Sequence, residues 1–136
     1  MENQGPDDVL LAAARAAMEQ AYCPYSGFPV GAAVRTPGGA VFTGCNVENA
    51  AFPQGWCAET SAIAAMIGAG EREIAAVAVV AGGDALCTPC GGCRQKLREF
   101  AAPDTTVLVG GPQGLRRRFT LGELLPEAFG PGNLDA

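Results

Sequence analysis

Histidine is absent from the 136 residues, which removes every catalytic scheme built on an imidazole base. Large aromatics are few, with one tryptophan and two tyrosines. Alanine supplies much of the apolar fraction, so the elements are expected to pack closely on small side chains. No apolar run approaches the length a bilayer requires, and the polar, acidic start Met1 to Asp8 does not resemble a signal peptide. Basic residues are outnumbered, giving a formal net charge of −5. That balance argues against a general affinity for nucleic-acid phosphates or anionic membranes. Arg116-Arg117-Arg118 reads as a solvated strand edge or subunit contact, because alternate side chains on a strand face opposite ways. No internal repeat, linker or low-complexity segment interrupts the chain, and residues 1–136 are expected to form one domain. These exclusions leave a cytoplasmic protein acting on a small substrate.

Six cysteines are present, and in a reducing compartment the clustered ones are expected to bind metal or do chemistry. Val9 to Tyr22 has near-helical apolar spacing and is read as a helix after Asp7 and Asp8. Phe28 to Thr36 and Ala40 to Cys45 are read as strands joined at Pro37-Gly38-Gly39. An irregular loop, Asn46 to Trp56, leads into a buried helix from Cys57 to Gly68 or Gly70. Ile74 to Ala81 is continuously apolar, as expected of a strand covered on both faces. A further helix opens at Pro89-Cys90-Gly91-Gly92-Cys93 and runs to about Phe100. Thr105 to Gly110 and Leu115 to Thr120 form a last pair of strands, and Leu121 to Leu125 a short helix. The order α-β-β-α-β-α-β-β-α predicts a three-layer α/β/α sandwich around a mixed five-stranded sheet.

The chemistry is concentrated in Cys57-Ala58-Glu59 and Pro89-Cys90-Gly91-Gly92-Cys93. Each opens a predicted helix, where free backbone N–H groups and the helix dipole favour the thiolate that binds a metal. Cys90 and Cys93 can grip one ion and Cys57 adds a third ligand, leaving a fourth position open, as at a catalytic zinc. Water bound there has its pKa lowered towards about 7. Glu59 is placed to reach that water and to act as general base and then acid. Taken alone, Cys90-x-x-Cys93 is equally a redox pair or half of a structural site. With Cys57 and Cys87 it could close a structural zinc or hold an iron–sulfur cluster. Pro89 breaks the run from Cys87 to Cys90, and a closed site would leave Glu59 without a role. Cys23 and Cys45 are read as small buried hydrophobes, and Trp56 as packing beside the site.

These motifs occur with Pro24-Tyr25-Ser26, Phe28, Val30-Gly31-Ala32-Ala33, Gly44-Cys45-Asn46-Val47-Glu48-Asn49, Cys93-Arg94-Gln95, Leu124-Leu125-Pro126 and Phe129-Gly130. Together they resemble the short-chain, homotetrameric zinc-dependent cytidine deaminases over nearly the whole length, including the Cys-x-Glu and Pro-Cys-x-x-Cys signature of zinc deaminases. The resemblance implies one Zn2+ per subunit and hydrolysis of cytidine and deoxycytidine to uridine products, a reaction of pyrimidine salvage. It implies that Asn46 and Glu48 bind the ribose hydroxyls and that the Ala58 N–H meets the pyrimidine carbonyl. Phe28 would lie against the pyrimidine, and Phe129 would enter the pocket of a neighbouring subunit. Arg94 would sit near the thiolates and offset their charge. Two positions depart from the family pattern: Thr60 stands where an arginine is frequent, and Phe52 where a tyrosine is common. A deaminase of a modified cytosine nucleoside such as blasticidin S is the alternative within the same fold, and the Asn46 and Glu48 pair argues against it.

Overall fold

The computed structural model describes residues 5–135; the outermost residues of the expected 1–136 domain, and the first half of the polar stretch Met1 to Asp8, lie outside them. Five strands form one mixed sheet in the order β2-β1-β3-β4-β5: β1 Val30–Arg35, β2 Val41–Cys45, β3 Ala76–Ala81, β4 Thr106–Gly111 and β5 Gly114–Thr120. β1 runs antiparallel to both β2 and β3, β3 is parallel to β4, and β4 is antiparallel to β5. The helices are α1 Pro6–Met18, α2 Ala58–Gly68, α3 Gly91–Phe100 and α4 Leu121–Leu124, in the order expected from the sequence.

Alternation along the strands sorts the core into two layers. Ala32, Val34, Val77, Val79, Val107 and Val109 face α2 and α3. Ala33, Ala78, Val80 and Leu108 face α1, through Leu10, Leu11 and Ala14. Every residue of β3 is buried, as its unbroken apolar run predicts.

Details differ from the sequence reading, among them the end of α1 at Met18 in place of Tyr22 and the starts of β1 at Val30 and β3 at Ala76 in place of Phe28 and Ile74. α1 begins at Pro6, ahead of the predicted Val9, because proline suits the first helical position and Asp7 and Asp8 then fall in the first turn. α2 is buried through Ala58, Glu59, Ala62, Ile63 and Met66, while Ala64 and Ala65 on its outer side are exposed. A short 3-10 turn, Pro131–Leu134, follows α4 and has no counterpart in the sequence reading.

The connections bring the cysteines together. β2 and β3 run in the same direction, and α2 and α3 follow their carboxyl ends on the same face of the sheet. The N-termini of the two helices therefore open side by side, at the end where open α/β sheets bind ligands. α2 lies close on β2, since a Cβ at Gly44 would fall 2.5 Å from the Ala62 amide nitrogen and 2.7 Å from the Ala58 carbonyl oxygen. Both are helix backbone and cannot swing aside. Gly44→Ala is expected to lower unfolding stability by about 1–3 kcal/mol, the usual cost of overpacking, measurable by denaturant titration. The same change would push out the helix that carries Glu59.

Candidate active site

Cys57 is the N-cap of α2 and Cys90 the N-cap of α3. Cys93 lies in the first turn of α3 and is fully buried. Their three Sγ atoms lie within 4.8 Å of one another, and Cys57 and Cys90 are 3.8 Å apart. Tetrahedral ligands at about 2.3 Å from a zinc ion would be separated by roughly 3.8 Å, so the trio fits such an ion. The three thiols shift in different directions. Burial pushes the Cys57 thiol up, helped by its contact with Cys90. Burial also pushes Cys93 up, helped by the charge of Glu59, while the Thr60 hydroxyl pulls the other way. Burial works upward on Cys90 as well, but the Cys93 amide and the Cys57 and Cys93 thiols outweigh it and hold Cys90 below the usual thiol range. Three thiolates beside a carboxylate need a cation among them.

The six cysteines are unpaired. Cys87 is half-buried and outside the trio, so the closed four-cysteine site is not assembled. Cys23 and Cys45, expected to be buried, are only half-covered.

Glu59, in the first turn of α2, is 4% exposed. Burial pushes its carboxyl up, opposed by its own backbone amide, by Cys93 and by the charge of Lys96. A cavity of about 570 Å³ is lined by Cys57 and Cys90 of the trio, by Ala58 and Glu59, and by Asn46 and Glu48. Ala58 is the first residue of α2, so its N–H has no partner within the helix and faces a site for an acceptor.

Asn46 and Glu48 are held by backbone from distant parts of the chain. The Asn46 Oδ1 accepts from the Val30 N–H at 2.9 Å, and its Nδ2 donates to the Phe28 carbonyl at 3.0 Å. One acceptor lobe and one N–H of the amide remain for a ligand. Glu48 accepts from the Tyr25 and Ser26 amides at 2.9 and 3.1 Å and from the Ser26 hydroxyl. The Ser26 hydroxyl is the main cause of a carboxyl held below its usual range, with the two amides adding to it against desolvation. Glu48 is thus a fixed anion with acceptor capacity to spare.

The structure does not bring Phe28 or Phe129 to this cavity. Phe28 is 41% exposed and Phe129 is 57% exposed, and neither lines the cavity. The Phe129 carbonyl accepts from Gln95 Nε2 at 2.8 Å, which fixes the backbone and leaves the ring free. Arg94 is committed to oxygen partners. Its guanidinium donates to the carbonyls of Pro89 and Leu124 at 2.7 and 2.6 Å and to the Thr88 hydroxyl at 2.8 Å. It clamps the loop before α3 and makes no hydrogen bond to a thiolate. Thr60 does reach one, with its Oγ1 3.7 Å from Cys93 Sγ.

Trp56 sits beside the site, as read from the sequence. It lines the cavity and donates from Nε1 to the Ser61 hydroxyl at 2.7 Å, which in turn donates to the Cys45 carbonyl at 2.9 Å. This chain ties the loop to α2. Phe52 and Tyr25 also line the cavity and pack edge to face with centroids 5.6 Å apart. Their signal was the resemblance alone.

A family model described as the cytidine and deoxycytidylate deaminase zinc-binding region matches residues 5–109. A cytidine deaminase of Sporosarcina psychrophila is 41% identical over 125 residues, covering 92% of this chain and 92% of the relative. One from Halalkalibacterium halodurans is 43% identical over 121 residues, covering 89% and 92%. Among solved structures, a cytidine deaminase from Burkholderia pseudomallei superposes with a TM-score of 0.84 at 46% identity, covering 89% of this chain and 97% of that one.

Proposed function

Since the chain belongs to the zinc-binding cytidine and deoxycytidylate deaminase family, we propose that it hydrolyses cytidine and deoxycytidine to uridine and deoxyuridine, releasing ammonia. The observation that carries this reading is a carboxylate, Glu59, buried beside three converging cysteine sulfurs and lining a cavity that a fixed amide and carboxylate also line. Cys57, Cys90 and Cys93 would hold one zinc ion, which when bound supplies a water acidic enough to react near neutral pH. Asn46 and Glu48 take the sugar hydroxyls, which suits a nucleoside more than a free base. The Ala58 N–H donates to the pyrimidine carbonyl and sets the ring's C4 edge towards Glu59. Glu59 accepts the proton of the water that attacks C4 and passes it to ring N3. It then carries the second proton to the amino group as the C4–N bond breaks, so that one water is consumed and one ammonia leaves. Burial keeps this carboxylate from exchanging protons with bulk solvent between the two transfers.

The whole chain works as one deaminase domain in this reading, and four copies assemble. Support for assembly comes from the exposed ring of Phe129, which lies away from its own cavity, and from the uncovered alanines on the outer side of α2. Phe129 then completes a neighbour's pocket. No helix among the described residues is long and apolar enough to cross a membrane; with the acidic balance, this supports a cytoplasmic enzyme of pyrimidine salvage.

The test is ammonia and uridine formation from cytidine by the purified protein and by a Cys87→Ser variant. Cys87 is outside the sulfur trio, so the variant is expected to keep its zinc content and at least about a tenth of native turnover, the loss tolerated by a residue that only borders a site. Loss of the metal from Cys87→Ser would favour a closed structural centre over a hydrolytic one.

A further inference from the structure

One lysine reaches the metal-binding sulfurs through a single hydroxyl. Lys96 lies on α3 three residues after Cys93, so the two share a helix face. Its Nζ is 3.0 Å from Oγ1 of Thr60 on α2, and that same oxygen is 3.7 Å from Cys93 Sγ. The chemistry of the groups fixes the direction of the chain. An ammonium has donors and no acceptor, so the Thr60 oxygen must accept from Lys96. The one hydroxyl proton of Thr60 is then directed elsewhere, and Cys93 Sγ is the acceptor within reach. Thr60 is β-branched and sits in the first turn of a helix, which limits its rotamers and holds the hydroxyl between the two partners. Arg94, the other cation beside the trio, spends its hydrogen bonds on Pro89, Thr88 and Leu124.

We propose that Lys96 and Thr60 form a charge relay that polarises the Cys93 thiolate, drawing electron density from the one fully buried sulfur of the metal site. Three thiolates give a zinc ion a net negative environment, which weakens its pull on a fourth ligand. A hydrogen bond to one sulfur lessens that donation, and an ammonium behind the hydroxyl strengthens the bond by polarising the O–H. Lys96 and Thr60 are therefore positioning residues that act on the metal through Cys93, with no contact to substrate. The relay rests on the three-cysteine site of the preceding reading.

The test compares the native protein with Lys96→Met, Lys96→Arg, Thr60→Val and the Lys96→Met/Thr60→Val double variant. Zinc affinity is measured by competition with a chromophoric chelator, and the thiolate-to-metal charge-transfer band is recorded with cobalt(II) in place of zinc. Lys96→Met and Thr60→Val are each expected to shift zinc affinity about tenfold from native, the low end for groups that act on ligands. Both should move the cobalt band to lower energy, since a sulfur relieved of its hydrogen bond gives up electrons more readily. Lys96→Arg, which keeps a cation, should stay near native in both measurements. The double variant should be no further from native than Thr60→Val alone, because the lysine acts only through the hydroxyl. A Lys96→Met protein with native zinc affinity and an unmoved cobalt band would overturn the relay, as would full additivity in the double variant. A native protein that took up neither metal would overturn the three-cysteine site itself, and the relay with it.

Discussion

Cys93→Ala is expected to abolish zinc retention and cytidine turnover together. The side chain is fully buried between the two helix N-termini, and its loss leaves Cys57 and Cys90 as an open pair at the mouth of α3. Two thiolates with an empty third corner do not reproduce the converging set that a catalytic zinc uses. Turnover should fall by more than about 10³-fold, beyond the 10–100-fold typical of groups that only orient ligands. Zinc measured after gel filtration should drop to background. The folding midpoint should fall as well, since metal that binds only the native state adds to its stability. A variant that kept zinc through gel filtration would show that the metal is held elsewhere.

Glu59→Gln separates proton transfer from metal binding. The amide has the shape of the carboxylate and cannot accept and return a proton, so the rate should fall by about 10⁴-fold, the upper end for a single acid–base group. Zinc content should remain native because all three cysteines are untouched. Stability gives an independent check. Burial is the main cause of the raised carboxyl pKa, which means the site disfavours the charged form and a neutral isostere relieves that cost. The thermal midpoint of the metal-free variant is therefore expected at or above that of the metal-free native chain. A Glu59→Gln protein that folded, held zinc and deaminated at more than a tenth of the native rate would remove Glu59 from the mechanism.

The parts of the fold that were legible in the sequence are those governed by local pattern. The alternation within Phe28 to Thr36 and the unbroken apolar run of Ile74 to Ala81 announced strands, and both were found; β1 is covered on both faces, as β3 is, which its alternation did not tell. The metal-binding trio was legible because a cysteine stands at the start of each helix; α2 and α3 follow β2 and β3, which run in the same direction on either side of β1, so topology brings the two N-termini together. Helix starts were less clear where proline opened the helix, as at Pro6.

Side-chain direction was the part that spacing could not give. Arg94 follows a ligand and was expected to sit near the sulfurs; its guanidinium spends its hydrogen bonds on three oxygen acceptors of the loop before α3 and of α4, a direction that spacing did not give. Lys96 gave no motif at all; only the packing of α3 against α2 sets its ammonium on Thr60. Its distance of three residues from Cys93 was the one available hint. Glu48 is fixed by amides 22 and 23 residues away, contacts that no local window contains. Phe28 and Phe129 were assigned by resemblance to a pocket made in an assembly, and within one copy of the chain they stand outside its cavity.

The central claim is that this chain hydrolyses cytidine at a metal held by Cys57, Cys90 and Cys93. The most direct measurement is a titration of metal-stripped protein with zinc, following uridine and ammonia formation from cytidine. The account predicts activity that rises linearly and levels off at about one zinc ion per chain, with equal amounts of uridine and ammonia formed. Protein saturated with zinc at that ratio that released no ammonia from cytidine or deoxycytidine would contradict it.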